Sequence, residues 1–303
     1  MATYLAIDAG TDRLAAGLVD DLGEVLVRDR VATPPRDVWP ALHRLVRRVV
    51  AARPADAAPI VACGVTTEAP LDVDTGTVSP LHMSAWSSFP LRERMGELTG
   101  LPVVVDTAAH GRVVAERWVG AAAHLDDVMV VLLSTAVEAG IITGGRLARG
   151  RLGNAGALGH VLVEPDGLAC PCGASGCLTP YVSAAALEEE TNRPLRRAPA
   201  SIVERAGVML GRAVSSAAAV FDLRAVILTG FVPSVFGAAL LDATRREIDQ
   251  RSRLGFLRSD EDPAASAITV DFTVLGSEAP LVGAAGVVRM ALADAVGPSI
   301  DGR

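Results

Sequence analysis

Three cysteines and one histidine are spaced as the ligands of a metal ion. His160 is followed after nine residues by Cys170, after one more by Cys172 and after four more by Cys177. Three thiolates and one imidazole match a closed tetrahedral zinc site, which leaves no coordination position for water. The spacing therefore predicts a structural zinc loop over residues 160–178. The alternative is a group of buried free thiols.

The N-terminal segment has the outline of a strand, a tight phosphate-holding turn and a second strand. An apolar run leads to Asp8 and Gly10, and the strand-like alternation resumes after Arg13. Asp12 stands in this turn, where a phosphate would lie. A carboxylate about 4 Å from a phosphate oxygen costs roughly 4 kcal/mol at an effective dielectric near 20. The turn disfavours phosphate unless Mg²⁺ bridges the two groups or Arg13 pairs with Asp12.

Composition excludes several classes of protein. The 303 residues suit two domains, and a net charge of −7 disfavours nucleic acid as a partner. All 28 basic residues are arginine, so neither a P-loop lysine, a protein-kinase lysine nor a Schiff-base lysine is present. No apolar run is long enough to cross a bilayer and no signal-like N-terminus is visible, so a cytoplasmic location is expected. Cys63, in an apolar stretch, is interpreted as a small buried hydrophobe.

Hydropathy patterns predict an α/β protein whose two halves repeat a strand–turn–strand–turn–helix order. In the first half, strands are predicted over 3–9, 14–19, 24–31, 60–70 (with its loop) and 101–107, and helices over 37–54 and 109–122. In the second half, strands are predicted at 127–133, 225–230 and 268–275, and helices at 204–223, 233–252 and 280–296. Residues 134–146 are interpreted as a turn, a short second strand and a further turn.

The segment GNAGALGHVLVEPDGLACPCGASGCL, residues 153–178, resembles the signature of the ROK family of sugar kinases and sugar-responsive repressors. Residues 75–106, 115–122 and 279–288 resemble other family segments, and the glucokinase-like branch is the most similar. The resemblance implies a two-lobed actin-like, ribonuclease H-like sugar-kinase fold. It places residues 1–107 and the C-terminal helix 287–303 in a small lobe, and residues 108–286 in a larger lobe. No winged-helix domain is expected before residue 8.

The resemblance implies that the catalytic base is missing. In the family an aspartate ahead of the A-E-x-W-x-G-A helix takes the proton from the sugar hydroxyl. Counting back from Glu116 puts Thr107 at the family asparagine and Ala108 at the aspartate. A methyl group accepts no proton. Asp106 is the fallback base, although along a strand its carboxylate starts about 6–7 Å away.

The sugar and phosphate positions are altered as well. Both sugar-binding glutamates of the family are replaced, by Ala157 and Thr179. The second phosphate motif reads STAVEAG, with Glu138 among the residues that replace glycines. The sugar contacts that the resemblance leaves are His82, Thr107, Asn154 and His160, and the nucleotide or phosphate contacts are Asp8, Gly10, Ser134, Thr135 and Gly230.

These changes predict a sugar-kinase-like protein that binds a small molecule, with a hexose as the leading candidate, and acts as a ligand-binding, regulatory or assembly protein. Structural Zn²⁺ is expected, whereas ATP and Mg²⁺ are not favoured. The competing hypothesis is an ATP-dependent hexose kinase that uses Asp106 as its base. The resemblance further implies a homodimer or a larger homo-oligomer, without nucleic-acid or membrane partners.

Overall fold

The structure, a computed structural model, describes residues 2–262 and 265–296. Its strands are β1 (Thr3–Ala9), β2 (Arg13–Asp20), β3 (Val25–Ala32), β4 (Ile60–Thr67), β5 (Leu71–Asp72), β6 (Thr77–Val78), β7 (Val103–Thr107), β8 (Val128–Leu133), β9 (Val137–Thr143), β10 (Arg146–Leu147), β11 (Ala225–Thr229) and β12 (Thr269–Phe272). Its α-helices are α1 (Val38–Ala51), α2 (Leu91–Thr99), α3 (Ala108–Val119), α4 (Thr179–Val182), α5 (Ala184–Thr191), α6 (Ala200–Phe221), α7 (Phe231–Arg251) and α8 (Ala279–Val296). The strands and long helices predicted from the sequence are present, whereas α2, α4 and α5 have no counterpart among the predicted elements. The turn predicted over residues 134–140 is shorter than expected, because β9 begins at Val137 and Glu138 pairs with Leu132 inside the sheet.

Two five-stranded sheets repeat one topology. The first has the order β3-β2-β1-β4-β7 and the second the order β10-β9-β8-β11-β12. In each, three antiparallel strands form one side, and two further strands run parallel to the central one. This common order confirms the repeat inferred from hydropathy. It also brings the carboxyl ends of three parallel strands to one edge of each sheet.

The chain divides into two compact units. The first contains residues up to Ala123, Arg149–Asn154 and residues from Leu275 on; the second contains His124–Ala148 and Ala155–Val274. This division differs from the predicted lobes of 1–107 with 287–303 and of 108–286, because α3, Arg149–Asn154 and the start of α8 cluster with the first sheet. Residues 297–303 of the predicted C-terminal helix lie outside the described residues.

The first unit has a core on each face of its sheet. Leu5 and Ile7 of β1 lie in a cluster with the apolar residues of α1 and α2, while Tyr4 and Ala6 lie in a cluster with α8. This follows from the two-residue period of strand side chains. Gly64 of β4 meets α8 so closely that a Cβ there would overlap the carbonyl oxygen of Ala284. The close approach of α8 explains why it belongs to this unit.

The second unit has one continuous core between its sheet and the helices that follow. The buried face of α6, with Leu210 and Val214, packs in this core with Leu240 of α7 and Val131 of β8. Gly207 and Gly211 let α6 and α7 approach, since a Cβ at either would press on α7. Among the described residues, no helix combines the length and the apolar character that a bilayer crossing requires.

Candidate functional site

The carboxyl edge of the first sheet carries a row of polar residues. The register pairs Asp8 of β1 with Thr66 of β4, and Thr66 with Asp106 of β7. We call these three residues the carboxyl-edge row. In open α/β sheets ligands bind outside the carboxyl ends of parallel strands. This edge is therefore the candidate ligand site of the first unit.

Asp106 is fully buried, and both of its oxygens are engaged. Oδ1 lies 2.6 Å from Nδ1 of His110 and accepts a hydrogen bond of 2.8 Å from the Thr107 N–H. Oδ2 accepts a hydrogen bond of 3.1 Å from Nε of Arg149. Burial by itself raises the pKa of Asp106, but the hydrogen bond and charge of His110, the charge of Arg149 and the Thr107 N–H outweigh it and hold the pKa below its usual value. The group is an ionised carboxylate locked in an ion-pair cluster.

Thr107 and Ala108 form the start of α3. The Thr107 hydroxyl caps the helix, since its oxygen accepts a hydrogen bond of 3.1 Å from the His110 N–H. Ala108 is the first helical residue and presents a methyl group at the position that the family resemblance assigns to the base. The structure thus gives Thr107 a capping role, and sugar binding by its side chain stays a prediction.

Asp8 and the first turn are held by contacts within the unit. The Asp8 carboxylate accepts a hydrogen bond of 3.1 Å from the Thr66 hydroxyl and lies 3.8 Å from the Arg112 guanidinium. The Gly10 N–H donates across the turn to the Arg13 carbonyl at 3.1 Å. The Thr33 hydroxyl donates to the Gly10 carbonyl at 2.7 Å. The N–H of Gly10 is therefore used inside the turn, where a phosphate-binding loop would offer it to a ligand.

A second carboxylate–histidine pair lies at the same edge. Glu68 follows the last residue of β4, and its carboxylate contacts Nδ1 of His82. The backbone N–H of His82 also donates to this carboxylate at 3.3 Å. The Glu68 side chain is 7% exposed, whereas the His82 side chain is 40% exposed. The carboxylate thus lies behind the ring and fixes its orientation.

Asn154 anchors the segment 149–154 to the first unit. Its side-chain oxygen accepts a hydrogen bond of 2.8 Å from the Leu71 N–H, and its Nδ2 donates to the Leu71 carbonyl at 2.6 Å. The Val73 N–H donates to the Leu152 carbonyl at 3.1 Å beside it. Asn154 acts here as a backbone mimic that completes a short β-type contact. Its assignment as a sugar ligand stays a prediction.

In the second unit, the other phosphate-type residues lie at the corresponding edge. Ser134 and Thr135 form the turn between β8 and β9, and the Ser134 N–H donates to the Ala136 carbonyl at 3.0 Å. Gly230 directly follows β11 and precedes α7 with φ of 109°, and a Cβ there would overlap the Leu133 carbonyl. The fold therefore brings Ser134, Thr135 and Gly230 to the carboxyl ends of β8 and β11. Glu138, in β9, is 8% exposed.

The predicted metal ligands converge in the second unit. The ligand atoms of His160, Cys170, Cys172 and Cys177 all lie within 4.8 Å of one another. Nδ1 of His160 is 3.7 Å from the Cys170 sulfur, and the sulfurs of Cys172 and Cys177 are 3.9 Å apart. Bond lengths of about 2.3 Å to sulfur and 2.0 Å to nitrogen place the ligand atoms of tetrahedral zinc roughly 3.5–3.8 Å apart. The four side chains fit a structural metal ion.

The loop that carries these ligands is shaped by glycines and tied to α6. Gly173 and Gly176 have φ of 95° and 77°, a region that favours glycine. Arg212 of α6 donates to the Val163 carbonyl at 2.9 Å and forms an ion pair of 2.5 Å with Glu164. The desolvation of Arg212 is outweighed by its acidic neighbours, so its pKa lies above the usual value. The loop with the candidate metal ligands is thereby held against α6 in the core of its unit.

Four ionisable residues of the first unit's site were not predicted from the sequence, namely Glu68, His110, Arg112 and Arg149. One signal was present for Glu68, because a charged residue directly follows the apolar strand that became β4. The pairing of Arg149 with Asp106 joins residues 43 positions apart and had no local signal.

Comparison with solved structures defines the class of protein. The structure matches the ROK hexokinase of Thermus thermophilus with a TM-score of 0.78 and 30% identity, over 96% of this chain and 99% of that one. It matches a ROK family glucokinase of Streptomyces griseus, solved with glucose and AMPPNP, with a TM-score of 0.78 and 28% identity over 95% of this chain and 99% of that one. The fold is the two-lobed α/β fold of the ROK sugar kinases.

The family follows from the sequence match. The profile of the ROK family matches residues 4–290, and the chain belongs to this family. The glucokinase of Streptomyces coelicolor is 32% identical over 212 residues, which are 69% of this chain. The match spans 64% of the length of that glucokinase. The predicted family and fold class are confirmed.

Proposed function

We propose that this ROK protein binds a hexose or a closely related sugar at the carboxyl edge of its first sheet and does not phosphorylate it. The observation that carries the proposal is the state of Asp106, which is the fallback base. Its side chain is fully buried, and His110, the Thr107 N–H and Arg149 engage both oxygens. A general base must reach the proton that it removes. With Ala108 at the family position and Asp106 engaged by these partners, neither of the two positions considered for the base offers a carboxylate poised for that step.

The turns that would hold phosphate support the same conclusion. Asp12 lies in the first turn, and the buried Glu138 follows the second. Each carboxylate within about 4 Å of a phosphate oxygen costs roughly 4 kcal/mol at an effective dielectric near 20. That is close to three orders of magnitude in affinity for each contact. Where no cation offsets these carboxylates, a nucleoside triphosphate is therefore a poor ligand, whereas a neutral sugar is not penalised.

The second candidate is a hexose kinase with Asp106 as its base. The low pKa of Asp106 favours this candidate, since the group is ionised at neutral pH and lies in one row with Asp8. Release of Asp106 from His110 and Arg149 would have to precede proton abstraction. That requirement makes it the weaker candidate.

We assign the Cys₃His site to structural zinc, held by His160, Cys170, Cys172 and Cys177. Four protein ligands close the coordination shell, so the metal contributes to folding and takes no part in chemistry. Assembly as a homodimer or a larger homo-oligomer remains part of the proposal, on the strength of the family resemblance.

The test pairs binding with turnover. Isothermal titration calorimetry with a panel of hexoses and amino sugars should show binding, and phosphoryl transfer from ATP or polyphosphate should be absent. Turnover by the wild-type protein would contradict the proposal. If that turnover disappeared in Asp106→Ala while circular dichroism showed an intact fold, the kinase candidate would replace it. Absence of binding by every sugar in the panel would refute the sugar site itself.

A further inference from the structure

Glu68 and His82 form a pair whose two members differ in exposure. The Glu68 side chain is 7% exposed and the His82 side chain 40% exposed. The carboxylate contacts Nδ1 of the ring and also accepts a hydrogen bond of 3.3 Å from the His82 backbone N–H. A buried carboxylate therefore orients a half-exposed imidazole.

In the neutral ring, a carboxylate at Nδ1 favours the tautomer that carries its hydrogen on Nδ1. When Nδ1–H donates to a carboxylate, the other nitrogen of a neutral imidazole carries a lone pair and accepts protons. The carboxylate also stabilises the imidazolium that forms when the ring takes a proton. The order of groups, from buried carboxylate to outward imidazole, is that of a general-base dyad.

The other carboxylates of this edge have different partners. Asp8 lies beside Arg112, and arginine is not deprotonated in proteins. Asp106 pairs with Arg149 and with His110, whose side chain is 0% exposed. Of these three carboxylates, Glu68 is thus the one whose partner both titrates and reaches the surface. Within this set of three, His82 is the partner suited to exchange a proton with a ligand.

We infer that the Glu68–His82 dyad catalyses the interconversion of the α and β anomers of a hexose bound at the carboxyl edge of the first sheet. The inference rests on the proposed sugar site. Anomerisation suits the site because it needs proton transfer but neither a phosphoryl donor nor a metal. His82 is the catalytic residue, and Glu68 is a positioning residue that acts through it.

The step is balanced in protons and electrons. Nε2 of His82 takes the proton of the anomeric hydroxyl as the bond between C1 and the ring oxygen breaks. The electron pair of that bond passes to the ring oxygen, which takes a proton from water. After rotation about C1–C2, the same oxygen adds to the opposite face of the aldehyde. His82 then returns its proton to O1, and the hydroxide regains the proton of the ring oxygen.

The experiment follows freshly dissolved α-D-glucose by polarimetry and proton NMR in a buffer without imidazole. The first-order rate constant should rise in proportion to protein concentration above the spontaneous rate. His82→Gln should lower that slope about 100-fold or more, the usual contribution of general acid–base catalysis. Glu68→Gln should lower the slope while leaving glucose affinity and melting temperature near wild type. The exposed His124 provides the matched control, and His124→Gln should keep the full slope.

Calorimetry with methyl α-D-glucopyranoside, which cannot open its ring, separates the possible failures. Binding of this glycoside with equal slopes for wild type and His82→Gln would overturn the dyad and leave the sugar site standing. Absence of binding would overturn both. Inhibition of anomerisation by the glycoside, with loss of the slope in His82→Gln, would establish the activity at this site.

Discussion

Arg149 and Asp106 form an ion pair in which Nε of Arg149 lies 3.1 Å from Oδ2 of Asp106. The pair joins the segment 149–154 to the end of β7, and Asn154 fastens the other end of that segment to Leu71. Arg149 also completes the set of partners around the Asp106 carboxylate, which has no exposed surface. One contact thus explains both why this segment clusters with the first unit and why Asp106 is a poor proton acceptor.

Removing the charge of Asp106 should destabilise the protein strongly. Asp106→Asn leaves His110 and Arg149 without their anion, and breaking a buried ion pair costs about 3–5 kcal/mol. Urea unfolding at pH 7 measures this change. The control is Asp29→Asn, because the Asp29–Arg48 pair is largely exposed and its loss costs about 1 kcal/mol or less. Equal losses for the two variants would contradict the buried cluster.

Asp106 should also steepen the loss of stability in acid. Its pKa is lower in the folded protein than in the unfolded chain, so its contribution is complete above the unfolded carboxyl value of about 4 and disappears as the pH falls through the folded pKa. The free energy of unfolding should therefore fall more steeply below about pH 4 in wild type than in Asp106→Asn. If the free energy of unfolding fell equally steeply with pH in both proteins, the Asp106 carboxylate would make no pH-dependent contribution to stability.

Loss of a metal ligand should lower thermal stability and metal content together. Cys172→Ser and His160→Ala remove one ligand each, and metal-binding free energy contributes directly to folding. Each kcal/mol lost lowers the melting temperature by roughly 2–4 °C for a unit of this size. Elemental analysis should find one zinc per wild-type chain and little in these variants, while His124→Ala should match wild type. A wild-type protein purified without chelator and free of zinc would rule the site out.

Replacement by alanine should lower the melting temperature at one glycine and not at another. At Gly64, a Cβ would overlap the Ala284 carbonyl, so Gly64→Ala must push α8 away from β4. At Gly96, inside α2, nothing lies within 4 Å of the added Cβ, and alanine favours a helix by up to about 1 kcal/mol. Differential scanning calorimetry should show a lower melting temperature for the first variant and an unchanged or higher one for the second. A tolerated Gly64→Ala would mean that α8 packs more loosely than described.

Asn154→Asp should weaken the contact with Leu71 although the shape is kept. The carboxylate still accepts from the Leu71 N–H, but it cannot donate to the Leu71 carbonyl, which Nδ2 meets at 2.6 Å. A buried carbonyl group that loses its hydrogen-bond donor lowers the free energy of unfolding by about 1–3 kcal/mol. Amide hydrogen exchange at Leu71 and chemical unfolding measure the effect. Asn192→Asp is the control, since aspartate tolerates the left-handed backbone of that helix C-cap; similar losses would remove the special role of Asn154.

The family, the repeated strand order and the candidate metal ligands can all be recognised in the sequence alone. These features are encoded locally, because strand and helix periods repeat over a few residues and the four metal ligands lie between His160 and Cys177. The absence of lysine and the alanine at position 108 were likewise visible without a structure. Local patterns therefore sufficed for the fold class and for the replacement of the family's base by Ala108.

The partners of the ionisable groups, by contrast, are visible only in the folded structure. The sequence shows Asp106 as an acidic residue at the end of a strand. Its ion pair, however, is formed with Arg149, which is 43 residues away in the sequence. The pairing of Glu68 with His82 depends on how the loop after β4 folds back, and Asn154 proved to be a backbone mimic. The partners of an ionisable group depend on which residues lie near it in the folded chain and on how deeply they are buried. The periodicity of the sequence gives neither of these.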